Sequence, residues 1–239
     1  MKKVLFMAFL GSILASSCKK SDPVTPGATD KFMTTTAGST WNYQTIDNMT
    51  ATNTPYSLTS TSSDSSINGR SYHVYTYTDS TGSSSEYYSI SGNDYFQYTE
   101  LSAQLPPLEL KYLVDNVPVG TSWTQPLALS QTQQGVTLNF NGTLKYTVEE
   151  KGGSVTVGST TYANTIKVRT EITNPSISSS LPLPITVEPI TQNIYAYFAP
   201  KQGLVKREFQ LKVDINVLGS VQNIIDNNTS TSLISSNIQ

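Results

Sequence analysis

Few of the 239 residues could do acid–base, metal or nucleophilic chemistry. One His and one Cys cannot assemble the tetrahedral nitrogen–sulfur set that zinc prefers. His73, in Tyr72-His73-Val74-Tyr75, would need a nucleophile or an orienting carboxylate to act as a base. No serine sits in a Gly-x-Ser-x-Gly frame, so His73 reads as a half-exposed strand residue. Seventeen acids could still pair as in a glycosidase. Glu149 and Glu150 are adjacent and on a strand would point to opposite faces. Glu86, Asp94 and Glu100 are spaced through an aromatic run with Tyr87, Tyr88, Tyr95, Phe96 and Tyr98. That composition suits a sugar-binding face and equally the cross-strand tyrosine pairs of an ordinary sheet. Asn93-Asp94 and Asp226-Asn227-Asn228 lack calcium-loop spacing, and neither common phosphate-binding glycine pattern is present. The expectation is a protein without metal or cofactor and without catalysis.

The elements that would position such residues are strands. Only 13% of residues are charged, against about 25% in an average soluble domain. There are 32 Ser, 32 Thr and 14 Tyr, a composition too poor in Lys, Glu and Ala for a helical bundle. From 205 to 217, Val205, Phe209, Leu211, Val213, Ile215 and Val217 alternate with polar residues. The one break in the apolar row is Arg207. This period of two places one face on a core and the other in water. Ile166, Val168 and Ile172 alternate in the same way with Lys167, Arg169 and Glu171. Asn141-Gly142, flanked by alternating apolar residues, predicts a hairpin turn.

An internal echo organises the rest. Gly38-Ser39-Thr40-Trp41 recurs as Gly120-Thr121-Ser122-Trp123, and these are the only two Trp. Ile67 to Tyr72 is followed in the same order by Val157 to Tyr162, and Tyr87 to Phe96 by Tyr195 to Leu204. The echo predicts two related meanders, at about 35–100 and 118–217, sharing one core within an all-β domain at 32–217. The predicted fold is a single antiparallel β-sandwich or half-barrel of nine to eleven strands. Leu105 to Val114 could form a turn of helix between the halves. Residues 218–239, rich in Asn, Ser and Thr, read as a frayed polar tail. The two Trp read as core anchors.

The N-terminus carries a different signal. Lys2 and Lys3, an apolar stretch from Val4 to Leu14, and small residues at 15–17 form a targeting segment too short to span a bilayer. Leu14-Ala15-Ser16-Ser17-Cys18 resembles a bacterial lipoprotein lipobox, with Leu14 displaced by one from its usual place. The resemblance implies that 1–17 is a signal peptide and that Cys18 becomes the acylated N-terminus. Residues 18–31 then form a lipidated flexible tether. In the lipoprotein family an Asp straight after the Cys implies inner-membrane retention; Lys19 stands there instead, so the resemblance implies the outer membrane. Removing Lys2 and Lys3 leaves 13 basic against 17 acidic residues. No basic run follows Lys19-Lys20, so nucleic acid is not an expected partner.

The lipobox, the Gly-x-x-Trp-x-Tyr step and the late Gly203-Leu204-Val205-Lys206-Arg207-Glu208 together resemble uncharacterised Bacteroidota-type envelope lipoproteins. That resemblance implies a lipid-anchored envelope protein and carries no activity with it. Asp79-Ser80-Thr81 resembles the short O-glycosylation acceptor of this group, which makes Ser80 a modification candidate. The expected role is a non-catalytic binding or structural module that contacts an envelope protein, glycan or hydrophobic ligand. Leu181, Leu183, Ile185 and Val187, set between prolines, are the candidate contact residues. The alternatives are a hydrophobic-ligand or lipid carrier and a carbohydrate-binding or carbohydrate-active protein. A carrier requires an apolar cavity of roughly 300 Å³ or more, and a retaining glycosidase requires two carboxyl groups about 5–5.5 Å apart.

Overall fold

The computed structural model describes residues 31–99, 107–133, 135–182 and 184–239. Cys18, the signal segment, the tether to residue 30, Glu100 and Leu183 lie outside the described residues. Six strands form a first meander: β1 (Thr40–Asp47), β2 (Thr52–Ile67), β3 (Arg70–Asp79), β4 (Gly82–Ser91), β5 (Asp94–Thr99) and β6 (Leu108–Val114). β7 (Ser122–Gln133), β8 (Val136–Val157) and β9 (Thr160–Ser179) follow, then the short β10 (Ile185–Val187). β11 (Thr191–Ala199), β12 (Gly203–Val217) and β13 (Ser220–Asn237) complete the second half. All belong to one antiparallel sheet, ordered β6-β5-β4-β3-β2-β1-β13-β12-β11-β9-β8-β7, with β10 beside β12.

The sequence order therefore appears twice around a nearly closed barrel, six strands per half. This corrects the sandwich or half-barrel expectation and its nine to eleven strands. A sheet this wide curls until its ends approach. The shortfall came from two segments expected to be something other than strands. β6 replaces the expected turn of helix, between Pro107 and Pro118. β13 replaces the expected frayed tail, because β1 and β12 hydrogen-bond it along both edges. Inward-facing Thr231 and Leu233 are each 1% exposed, so paired main chain and two packed side chains hold a mostly polar strand. β12 stands next to the middle of the order.

The echo is structural. Gly38 and Gly120 have φ of +86° and +87°, a conformation open to glycine at little cost. Gly38 N donates to Ser60 O (2.9 Å) and Ser60 N to Ser39 O (2.9 Å). Gly120 N donates to Val148 O (2.8 Å) and Val148 N to Thr121 O (3.0 Å) in the same pattern. The two Trp then diverge. Trp41 is 1% exposed in the core, whereas Trp123 is half-buried and stacks on Tyr146 at 5.5 Å.

The seams diverge with them. All eight residues of β1 pair with β13. At the equivalent β6/β7 seam, side chains replace the ladder. Gln125 Oε1 accepts from Lys111 N (2.9 Å), Gln125 Nε2 donates to Glu109 O (3.0 Å), and Trp123 Nε1 donates to Lys111 O (2.7 Å). The glutamine amide imitates a strand's own peptide group.

Asn141-Gly142 makes no turn; it lies within the continuous 22-residue β8. A Cβ at Gly142 would stand 3.2 Å from Ile172 Cγ2, so the glycine permits close approach of β9, a common reason for Gly inside a strand. One end of the barrel is floored by the chain's entry. Met33 bridges Gln202, Lys201 N donates to Lys31 O (2.7 Å), and Phe32 N donates to the Tyr95 hydroxyl (3.1 Å). Trp41, Tyr75, Tyr95, Leu113 and Val205 pack above that floor, each no more than 1% exposed.

Candidate functional site

Side chains cannot fill an interior this wide. Above the aromatic floor runs a cavity of about 930 Å³, from Met33 and Gly203 to Gln131, Leu138, Ile224 and Ile225 at the far rim. Ile224 and Ile225 line it and are 43% and 38% exposed, so the cavity opens at that end.

Its two walls differ because the two meanders differ. The second half supplies an apolar, mostly aliphatic wall: Leu127, Leu129, Phe140, Ile172, Ile194, Phe209, Leu211, Val213 and Ile215. Leu127, Ile172, Leu211 and Val213 form a packed cluster there, supported by Val187 and Ile190. The first half supplies Tyr43, Tyr56, Tyr77, Tyr88, Thr45, Thr54, Glu86 and Gln97. Tyr43 stacks on Tyr56 and Tyr56 on Tyr77, each at 5.0 Å between ring centroids.

Among the lining residues only Glu86 and Arg207 are charged. Glu86 Oε2 accepts from the Tyr88 hydroxyl and from Gln97 Nε2, both at 3.0 Å. The Arg207 guanidinium makes one long bond, to Thr231 Oγ1 at 3.4 Å. Burial pushes the Tyr56 phenol up to about 12; Arg207 opposes that rise and Glu86 adds to it. Burial, then the Asp79 carboxylate, raises Tyr77 to about 12. Tyr88 is raised by burial first and by Glu86 next. These hydroxyls stay protonated donors at neutral pH.

The residues singled out from sequence take various places. His73 has both partners that its motif did not show: Nε2 lies 2.9 Å from Ser60 Oγ and Nδ1 lies 2.8 Å from Asp64 Oδ1. A bulge between Ser60 and Asp64 in the β2–β3 register brings them together. Ser60 is only 2% exposed, so no substrate reaches its hydroxyl in this geometry, and the three side chains pin the bulge. No sequence spacing announced it.

Glu86 and Asp94 do not converge. Asp94 pairs with Ser91, five residues along β4 from Glu86, about 16 Å at strand rise, and it bridges Lys111 at 3.5 Å. Glu149 and Glu150, expected on opposite faces, both reach Lys167, at 3.5 and 3.2 Å. A bulge between Val148 and Glu150 sets two residues against one and removes the alternation.

Of the candidate contact loop, Ile185 and Val187 lie in β10, paired to Val217 and Ile215. Val187 packs on the aliphatic cluster, and Leu181 is 45% exposed. Ser80 is exposed at the tip of the β3–β4 hairpin, where Asp79 Oδ1 accepts from Thr81 N and Thr81 Oγ1, each at 2.7 Å.

With this geometry in hand, the chain can be set beside solved structures. A protein of Parabacteroides distasonis taken to be a lipoprotein superposes with a TM-score of 0.53 at 14% identity, over 87% of this chain and 99% of that one. The fold is shared. A Bacteroides fragilis protein, taken to be exported and described as having a YmcC-like fold, aligns over the same shares at 12% identity and a TM-score of 0.43. The chain matches no family model and no curated protein. The resemblance to Bacteroidota-type envelope lipoproteins thus holds at the level of fold.

Proposed function

We propose that this protein is a lipid-anchored lipoprotein of the outer membrane whose barrel holds a hydrophobic ligand without transforming it. The observation that carries the reading is the cavity. At about 930 Å³ it exceeds the 300 Å³ set for a carrier and lies within the usual range of ligand sites. Its second-half wall is mostly aliphatic and ordered by packing, so a ligand gains apolar burial without rearranging the barrel. The fold shared with the Parabacteroides protein supports the envelope setting. The alternative contact surface, the 181–190 loop, has less in its favour, because Val187 and Ile190 already pack inward.

A Cys18→Ser variant of the full chain tests both parts. It should lose palmitate labelling and leave the membrane fraction, since acyl chains supply the attachment. The released protein should bind phenylnaphthylamine, an uncharged dye that brightens in apolar surroundings, at about one per chain. Ala196→Trp, which fills part of the cavity, should weaken that binding at least tenfold with the β circular dichroism retained. A variant that stays on the membrane refutes the anchor. Dye binding indifferent to the added indole refutes the cavity.

A further inference from the structure

The ligand's polar end can be read from Arg207, the cavity charge with the fewer partners in the protein: one long hydrogen bond, against two at Glu86. Arg207 lies on β12, four residues above Gly203 at the floor, and Phe209, Leu211, Val213 and Ile215 follow it inward-facing toward the rim. Its register partner is Thr231, whose partner is Thr45, whose partner is Thr54. The side chain therefore rises from a rung of hydroxyl residues on the cavity wall, and it is exposed, open to a ligand in the hollow of the barrel. No carboxylate lies within ion-pair distance of it among the described residues, and Thr231 is its single hydrogen-bond partner. Glu86, the other lining charge, stands on β4, five strands round the sheet, with its carboxylate already taken by Tyr88 and Gln97. A guanidinium in such surroundings gains most from an anion that can accept two of its N–H groups.

Resting on the carrier reading, we propose that the cavity selects a long-chain amphiphile with a single anionic headgroup. The headgroup docks on Arg207, and the alkyl chain lies along the aliphatic wall toward the mouth. From Arg207 to Ile215 the wall runs eight residues, about 26 Å at strand rise, which suits an extended alkyl tail. The shared headgroup chemistry is that of a carboxylate or a phosphate monoester. The ligand enters head first.

The experiment measures displacement of phenylnaphthylamine from the Cys18→Ser chain by palmitate, hexadecyl phosphate and hexadecanol, which share chain length and differ in headgroup. At least one of the two anions should bind tenfold or more tighter than the alcohol, and the better one identifies the source of the charge. Arg207→Gln should weaken the anions far more than the alcohol and so erase the preference, and Arg207→Lys should restore part of it. Equal binding of anions and alcohol, or a preference that survives Arg207→Gln in a variant with unaltered near-ultraviolet dichroism, overturns the headgroup assignment alone. If the dye and all three amphiphiles fail to bind the unmutated barrel, the carrier reading falls with it.

Discussion

The barrel has two seams that its internal repeat makes equivalent, and they are closed by different means. Where β1 meets β13, an 18-residue strand gives every residue of β1 a backbone partner. Where β7 meets β6, only seven residues face it, and Trp123 and Gln125 reach across with their side chains. The matching positions in the first half, Trp41 and Tyr43, turn inward instead. Tyr43 donates to Leu204 O (2.9 Å), and among the described residues the Trp41 indole N–H has no acceptor. One motif thus serves as core anchor in one copy and as clasp in the other. The deciding factor is the neighbouring strand's length, not the motif.

The largest test of this contrast compares the two indoles. Trp41→Ala should cost about 3–5 kcal/mol, as for large aromatic truncations in a packed core. Trp123→Ala, at a half-buried clasp, should cost clearly less in the same urea titration. Equal losses would mean that the seams are mechanically alike. Next in size, Gln125→Ala removes both amide bonds and should cost about 1–3 kcal/mol by leaving main-chain groups of β6 unpaired. Hydrogen exchange should quicken at Lys111 and its β6 neighbours and stay unchanged in β1; quickening spread evenly round the barrel would refute the clasp.

The smallest effect concerns the two walls. Ten of the 14 Tyr precede residue 118, and burial raises the phenols of Tyr56 and Tyr77 to about 12. A phenol whose folded pKa exceeds its unfolded value of about 10 keeps a proton that the unfolded chain loses. The stability it contributes is therefore full below pH 10 and is lost as pH rises toward 12. Absorbance titration with urea melts at pH 8, 10 and 11 should show late phenol ionisation and falling stability. Replacing Tyr56 by Phe should lessen the fall.

Much of this was legible in the sequence because it obeys a period of two. β12, the inward row of β9 and the paired Gly-x-x-Trp steps are all written as alternation or repetition. β13 was hidden because pairing on both edges, not apolar content, makes it a strand. Asn141-Gly142 misled because a turn dipeptide and a glycine needed for close approach look identical until β9 is present. Glu149 and Glu150 misled because a bulge suspends alternation. The cavity was legible only as a requirement, since its width depends on how many strands the sheet holds. Arg207 was visible as the break in an otherwise apolar row, but its isolation depends on where β4 places Glu86.

The β1–β13 ladder also bears on how the molecule comes to exist. Every other ladder joins consecutive strands or steps over one neighbour, whereas this one pairs Thr40 with Asn237, 197 positions away (237 − 40). Local hairpins form early and cheaply, and the long closure is the slow search. A chain made from its N-terminus therefore holds β1 as a bare edge, with its inner face uncovered, until the last strand has been synthesised. Throughout that interval it is the species most open to aggregation, and a shortened C-terminus would prolong it indefinitely.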